Sequence, residues 1–166
     1  MDELVVSTEV FVEPETAFEF LVDFPGYVRY SDYLEAVRQR GDGGAGTTYE
    51  LELAWWRLTY TARTEVTDVE APERIGWRVL GGLDAEGEWR VGETPDGSSV
   101  ALHIRYRTES ADQVGLDLPR FVSLGWVVRR LTPLVREEAE RTVERIVADL
   151  EGEPRPVELR IEMSDD

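Results

Sequence analysis

The sequence predicts an α+β fold: a curved antiparallel sheet of about six to seven strands wrapped around one long C-terminal helix, with two short helices after the first strand. Three observations carry that prediction. Between turn signals, apolar residues recur at every second position from Leu34 to Thr108. The segment before this run reads as one strand followed by short helical stretches, and the segment after it as a long amphipathic helix. A chain of 166 residues suits one domain, large enough to enclose a substantial core and an internal cavity.

In chain order, "LVVSTEVFV" (4–12) is rich in β-branched residues and reads as the opening strand. In "EPETAFEFLVD", Pro14 suits a first helical position, and Ala17, Phe18, Leu21 and Val22 fall at helical spacing before the breaker pair Pro25-Gly26. A second short helical turn is expected through "GYVRYSDY". Further on, Tyr49, Leu51, Leu53 and Trp55 are odd-numbered, whereas Leu58, Tyr60, Ala62, Thr64 and Val66 are even. One strand cannot change faces without a turn or bulge, so a tight reversal is placed at Trp56-Arg57, with 47–55 and 58–69 as neighbouring strands.

Later strands separate in the same way. Ile75, Trp77 and Val79, then Leu83, Ala85, Gly87, Trp89 and Val91, then Val100, Leu102, Ile104 and Tyr106 form one apolar, aromatic face. Their alternates, such as Arg78, Glu86, Glu88, Arg90, His103 and Arg105, form a wet face on which opposite charges can pair between strands. The closing helix spans roughly 117–151, with Leu131, Leu134, Val135, Val143, Ile146, Val147 and Leu150 on its apolar side and Pro133 expected to kink or divide it. Phe121 to Val128 is apolar on more than one face, as befits either a buried core helix or a lid that touches a membrane surface. The domain is expected to occupy 1–151; the tail 152–166, with its alternating "VELRIEM", is expected to be an edge strand or mobile.

All eighteen cationic side chains are arginine, against 35 acidic ones, for a formal charge of −17. The acidic residues are spread along the chain, which suits a surface adapted to concentrated salt, where the Debye length shrinks to about 3 Å at roughly 1 M. Because "MDELVVSTEV" has neither a basic nor an apolar leader pattern and no window approaches 18 apolar residues, the expected location is a cytoplasm, one of high salt given this acidity. Nucleic acid is disfavoured as a partner, because its recognition relies on a basic footprint. Without cysteine, and with His103 as the lone histidine, thiolate chemistry and common zinc or non-haem iron sites are excluded, and no cofactor is expected. Nucleotide-binding and hydrolase motifs are absent, and "GDGGAG" reads as a hairpin loop. Asp23 and Asp32 flank the short helical region and are read as capping or surface groups rather than catalytic acids. No catalytic residue is assigned.

What remains is the aromatic set. The candidate ligand-binding residues are Leu53, Trp55, Tyr60, Thr64, Trp77, Trp89, Tyr106 and Thr108 on the sheet, with Phe121 and Trp126 on the covering helix. They describe an apolar pocket with a few hydroxyl groups, in which no arginine or carboxylate is expected from the sheet face.

The segments "VFVEPETAFEFLVDFPGYVRYSDYLEAV" and "YTARTEVTDVEAPERIGWRV", together with the order of elements over 4–151, resemble the START-like (SRPBCC) helix-grip superfamily, and within it the branch of polyketide cyclases and coenzyme Q-binding proteins. The resemblance implies a deep hydrophobic cavity between sheet and C-terminal helix for lipids, isoprenoid quinones or polyketide-like molecules. Binding or carrying such a molecule is the expected function. A cyclase or dehydratase working in the same cavity through a tyrosine or buried acid is the alternative, as is a module that binds a protein partner.

Overall fold

The computed structural model describes residues 2–55, 58–81, 84–107 and 124–164, without the side chains of 55, 58 and 124–135. Its eight strands form one antiparallel sheet in the order β2-β3-β4-β5-β6-β7-β1-β8. They are β1 (Asp2–Val10), β2 (Leu34–Arg40), β3 (Thr48–Trp55), β4 (Leu58–Glu70), β5 (Arg74–Leu80), β6 (Ala85–Thr94), β7 (Gly97–Tyr106) and β8 (Arg160–Ser164). Helix α1 (Pro14–Val22) and a 3₁₀ helix (Phe24–Arg29) follow β1, and α2 (Leu124–Glu151) follows β7. Among the described residues, no helix is long and apolar enough to cross a membrane.

The β3–β4 hairpin has the register required by parity: Tyr49 faces Thr64, Leu51 faces Ala62, Leu53 faces Tyr60 and Trp55 faces Leu58. Two expectations are corrected. Among the described residues the strands number eight rather than six to seven, because Arg160–Ser164 of the tail pairs with β1, Leu4 facing Met163 and Val6 facing Ile161. The opening strand covers 2–10 rather than 4–12, since the chain turns out of the sheet at Phe11, whose N–H donates to Glu151. Helix α2 is one undivided helix through Pro133; the expected start of this helix at 117 lies outside the described residues.

A further detail escapes simple alternation. A β-bulge between Val66 and Asp68 shifts the register on β5, so Val69 rather than Asp68 opposes Ile75 and packs inward. On the outer face, arginine and carboxylate side chains alternate across strands as anticipated. Arg78 pairs with Glu65 at 2.7 Å, Arg105 with Glu86 at 3.1 Å and Arg38 with Glu52 at 2.8 Å. Glu88 receives both Arg74 and Arg90, and Arg74 also reaches Asp68 at 2.6 Å. His103 lies on this face, opposite Val5 and Glu88.

The concave face is used in two ways. At one end, α1 and the 3₁₀ helix fill it: Ala17, Phe18, Leu21 and Phe24 pack on Tyr49, Val66, Ile75 and Val91 as a closed core. Tyr49 is 1 % exposed, its ring 4.5 Å from that of Phe24. At the other end α2 crosses the sheet, and a cavity separates the two.

Candidate functional site

The cavity has a volume of about 760 Å³ and an almost wholly apolar surface. From the sheet it is lined by Val6, Val10, Leu51, Leu53, Tyr60, Trp89, Val100 and Leu102, and from α2 by Ala139, Val143, Ile146, Val147 and Leu150. Phe20, Tyr27, Tyr30 and Tyr33 close it on the side of the short helices. The strand residues reach it because they share one pleat face; Leu53–Tyr60 and Trp89–Leu102 are directly opposed pairs. The helix residues at 139, 143, 146, 147 and 150 follow the three- and four-residue spacing of one helical side.

Of the residues selected from sequence, Leu53, Tyr60 and Trp89 are brought together at this cavity. Thr64 is buried beside Tyr49 in the packed half of the hairpin, and is not among the lining residues. Trp77 reaches across Gly87, close enough that a Cβ on that glycine would lie 2.6 Å from the indole, and it too is not among them. Tyr106, at the end of β7 opposite Asp2 and Ala85, also falls outside the lining. Thr108 and Phe121, and the side chains of Trp55 and Trp126, lie outside the described residues.

The polar side chains among the lining residues are hydroxyl groups, those of Tyr27, Tyr30, Tyr33 and Tyr60 being phenolic, and one carboxylate. Burial pushes the Tyr60 phenol above its ordinary range, so it keeps its proton and can donate a hydrogen bond into the cavity. Burial does the same more strongly to Tyr27, whose hydroxyl donates to the carbonyl of Leu21.

One group was missed. Glu138 lines the cavity from α2 while only 7 % exposed. The apolar stripe read on this helix ran from Leu134 and Val135 to Val143, leaving a gap where Glu138, Ala139 and Thr142 complete the same face. That missing rung was the available signal, obscured by the abundance of acidic residues elsewhere. Asp23 and Asp32, the acids considered earlier, are both exposed.

The chain matches a family model described as polyketide cyclase / dehydrase and lipid transport over residues 1–151. The chain belongs to this family. Its fold is the START-like helix grip, shared with solved structures of low sequence identity. The protein TTHA0849 of Thermus thermophilus is 19 % identical with a TM-score of 0.63, the match covering 90 % of this chain and 97 % of that one. The Zhui aromatase/cyclase of Streptomyces sp. R1128 is 18 % identical with a TM-score of 0.60, covering 91 % and 93 %. A START superfamily protein of Mycobacterium smegmatis is 16 % identical with a TM-score of 0.61, covering 89 % and 99 %. No curated protein matches in sequence.

Proposed function

We propose that this family member binds and carries an apolar small molecule, of the lipid, isoprenoid quinone or polyketide-like class, in the cavity between its sheet and α2. The observation behind this reading is the cavity itself: about 760 Å³, walled by aliphatic and aromatic side chains. That volume falls within the roughly 300–1,000 Å³ of small-molecule sites. A packed interior holds few voids larger than a water molecule, so a space of this size is a feature to be occupied rather than a packing defect. The charge of −17 is read as a surface suited to a high-salt cytoplasm.

Native mass spectrometry of the purified chain, followed by organic extraction, tests the reading alongside titration with the apolar fluorophore diphenylhexatriene. A discrete apolar adduct or saturable fluorophore binding supports it. Absence of both rejects it.

The buried carboxylate favours a second reading, a cyclase or dehydratase acting in the same cavity. There Tyr60 would donate a proton or hydrogen bond to a substrate oxygen and Glu138 would take part in proton transfer. Turnover of a polyketide-like substrate that survives both Tyr60→Phe and Glu138→Gln would exclude that mechanism.

A further inference from the structure

Glu138 is held in a way that leaves half of its carboxylate uncommitted. Its Oε1 accepts a hydrogen bond from the backbone N–H of Asp32 at 3.2 Å and another from the Thr142 hydroxyl at 3.3 Å. Its Oε2 is buried and has no hydrogen-bond partner among the described residues. The anchoring segment is itself fastened to α2, because Arg145 donates to the Tyr30 carbonyl at 2.9 Å and pairs with the Asp32 carboxylate at 3.4 Å. The carboxylate is thus oriented from one side, and Glu138 is itself one of the residues that line the apolar cavity, with its second oxygen buried and unpaired. Buried acceptors are nearly always paired, and leaving one unmade is costly.

We propose that Oε2 of Glu138 is the polar anchor of the ligand, accepting a hydrogen bond from a hydroxyl group on an otherwise apolar molecule. This inference rests on the reading of the cavity as a ligand site and adds the chemical class: a hydrophobic alcohol or phenol. The alternatives fit less well. A ligand carboxylate would set like charges together, and a ketone or ether brings no proton to an acceptor. An ammonium would have to leave water for walls such as Leu51, Val143, Ile146 and Leu150, a desolvation that a single pairing repays poorly. A hydroxyl matches one free acceptor and costs far less to bury.

The test is displacement of diphenylhexatriene from the full chain by 2-naphthol and by its methyl ether, 2-methoxynaphthalene, in which a methyl group replaces the hydroxyl proton; the comparison of wild type with Glu138→Gln cancels the contribution of that methyl group. Wild type is expected to prefer the naphthol by about tenfold, the effect of one hydrogen bond to a charged acceptor. In Glu138→Gln the amide oxygen remains directed to the Asp32 N–H and the Thr142 hydroxyl, so an NH₂ replaces Oε2. The preference then falls to parity or reverses. Equal affinities in wild type, or a preference unchanged in Glu138→Gln, overturn the anchor while leaving the apolar cavity as a binding site. Failure of wild type to bind the fluorophore and both naphthalenes overturns the two readings together.

Discussion

Replacing Glu151 by glutamine tests what fastens the C-terminal end of α2 to the opening strand. This carboxylate stands at the end of a helix whose dipole opposes negative charge there, and it is only 7 % exposed. Its neighbours compensate. Arg155 donates to it from Nε at 2.7 Å and from a terminal nitrogen at 2.9 Å, and the Phe11 N–H adds a third bond at 2.9 Å. The same guanidinium reaches the Glu9 carbonyl at 3.0 Å and lies 4.2 Å above the Phe11 ring.

The hydrogen bond from Arg155 holds the Glu151 carboxyl below its ordinary range, against the opposing effect of burial and with help from Phe11. A carboxyl whose pKa is lowered on folding contributes stability that is fully present above its unfolded value, about 4.3, and is lost as pH falls through the folded value. Charge-assisted hydrogen bonds contribute about 1.5–3 kcal/mol. Glutamine keeps an acceptor for Phe11, and Arg155 is 26 % exposed and so partly screened, which brings the expected loss to about 2 kcal/mol at pH 7. For a chain of this size that lowers Tm by about 4–8 °C. Circular-dichroism melts of wild type and Glu151→Gln at pH 7 and about pH 3 measure it, with the difference closing at the acid end. A loss below about 0.5 kcal/mol at pH 7, or one of equal size at both pH values, refutes the reasoning. In an Arg155→Met background the same substitution should cost little, because its partner is already gone.

Other consequences are as open to test. In Gly87→Ala the new Cβ would meet the His103 carbonyl at 2.5 Å and the Trp77 indole at 2.6 Å; a loss of about 2–3 kcal/mol is expected in urea unfolding. Glu88 is raised by burial but held below its ordinary range by the hydrogen bonds from Arg74 and Arg90. Glu88→Gln should therefore cost about 1 kcal/mol at pH 7, an effect that fades as acid titrates the wild-type carboxyl. Ala139→Trp places an indole in the cavity and should weaken diphenylhexatriene binding at least about tenfold, with stability kept to within about 1 kcal/mol in a thermal melt. With a net charge of −17, wild type should melt higher as KCl is raised from about 0.1 to 2 M; a flat response would argue against adaptation to salt.

Alternation alone made the hairpin legible, because side-chain period fixes which face each strand residue occupies. It could not report depth. Tyr49 and Tyr60 share one face of one hairpin, yet the first lies under Phe24 and the second borders the cavity, a difference set by where α1 ends and α2 crosses. Thr64 illustrates the same limit: correctly inward, it is packed beside Tyr49 rather than at the cavity. The bulge before Asp68 was invisible because one inserted residue leaves no compositional mark. Glu138 was hidden differently. Among 35 acidic residues a single carboxylate carries no weight until the helix is docked and shows which one is turned inward.

The tail strand changes what the sheet offers to other chains. Strand β1 is held between β7 and β8, although β8 lies beyond the residues 1–151 that match the family model. Ending the chain at Gly152 would leave one whole margin of β1 as a row of unpaired amides and carbonyls, the kind of template on which a second copy adds a strand. Five residues, three of them charged or hydroxylated, thus act as a selvedge: they cover the margin of β1 and leave a shorter, more polar edge in its place.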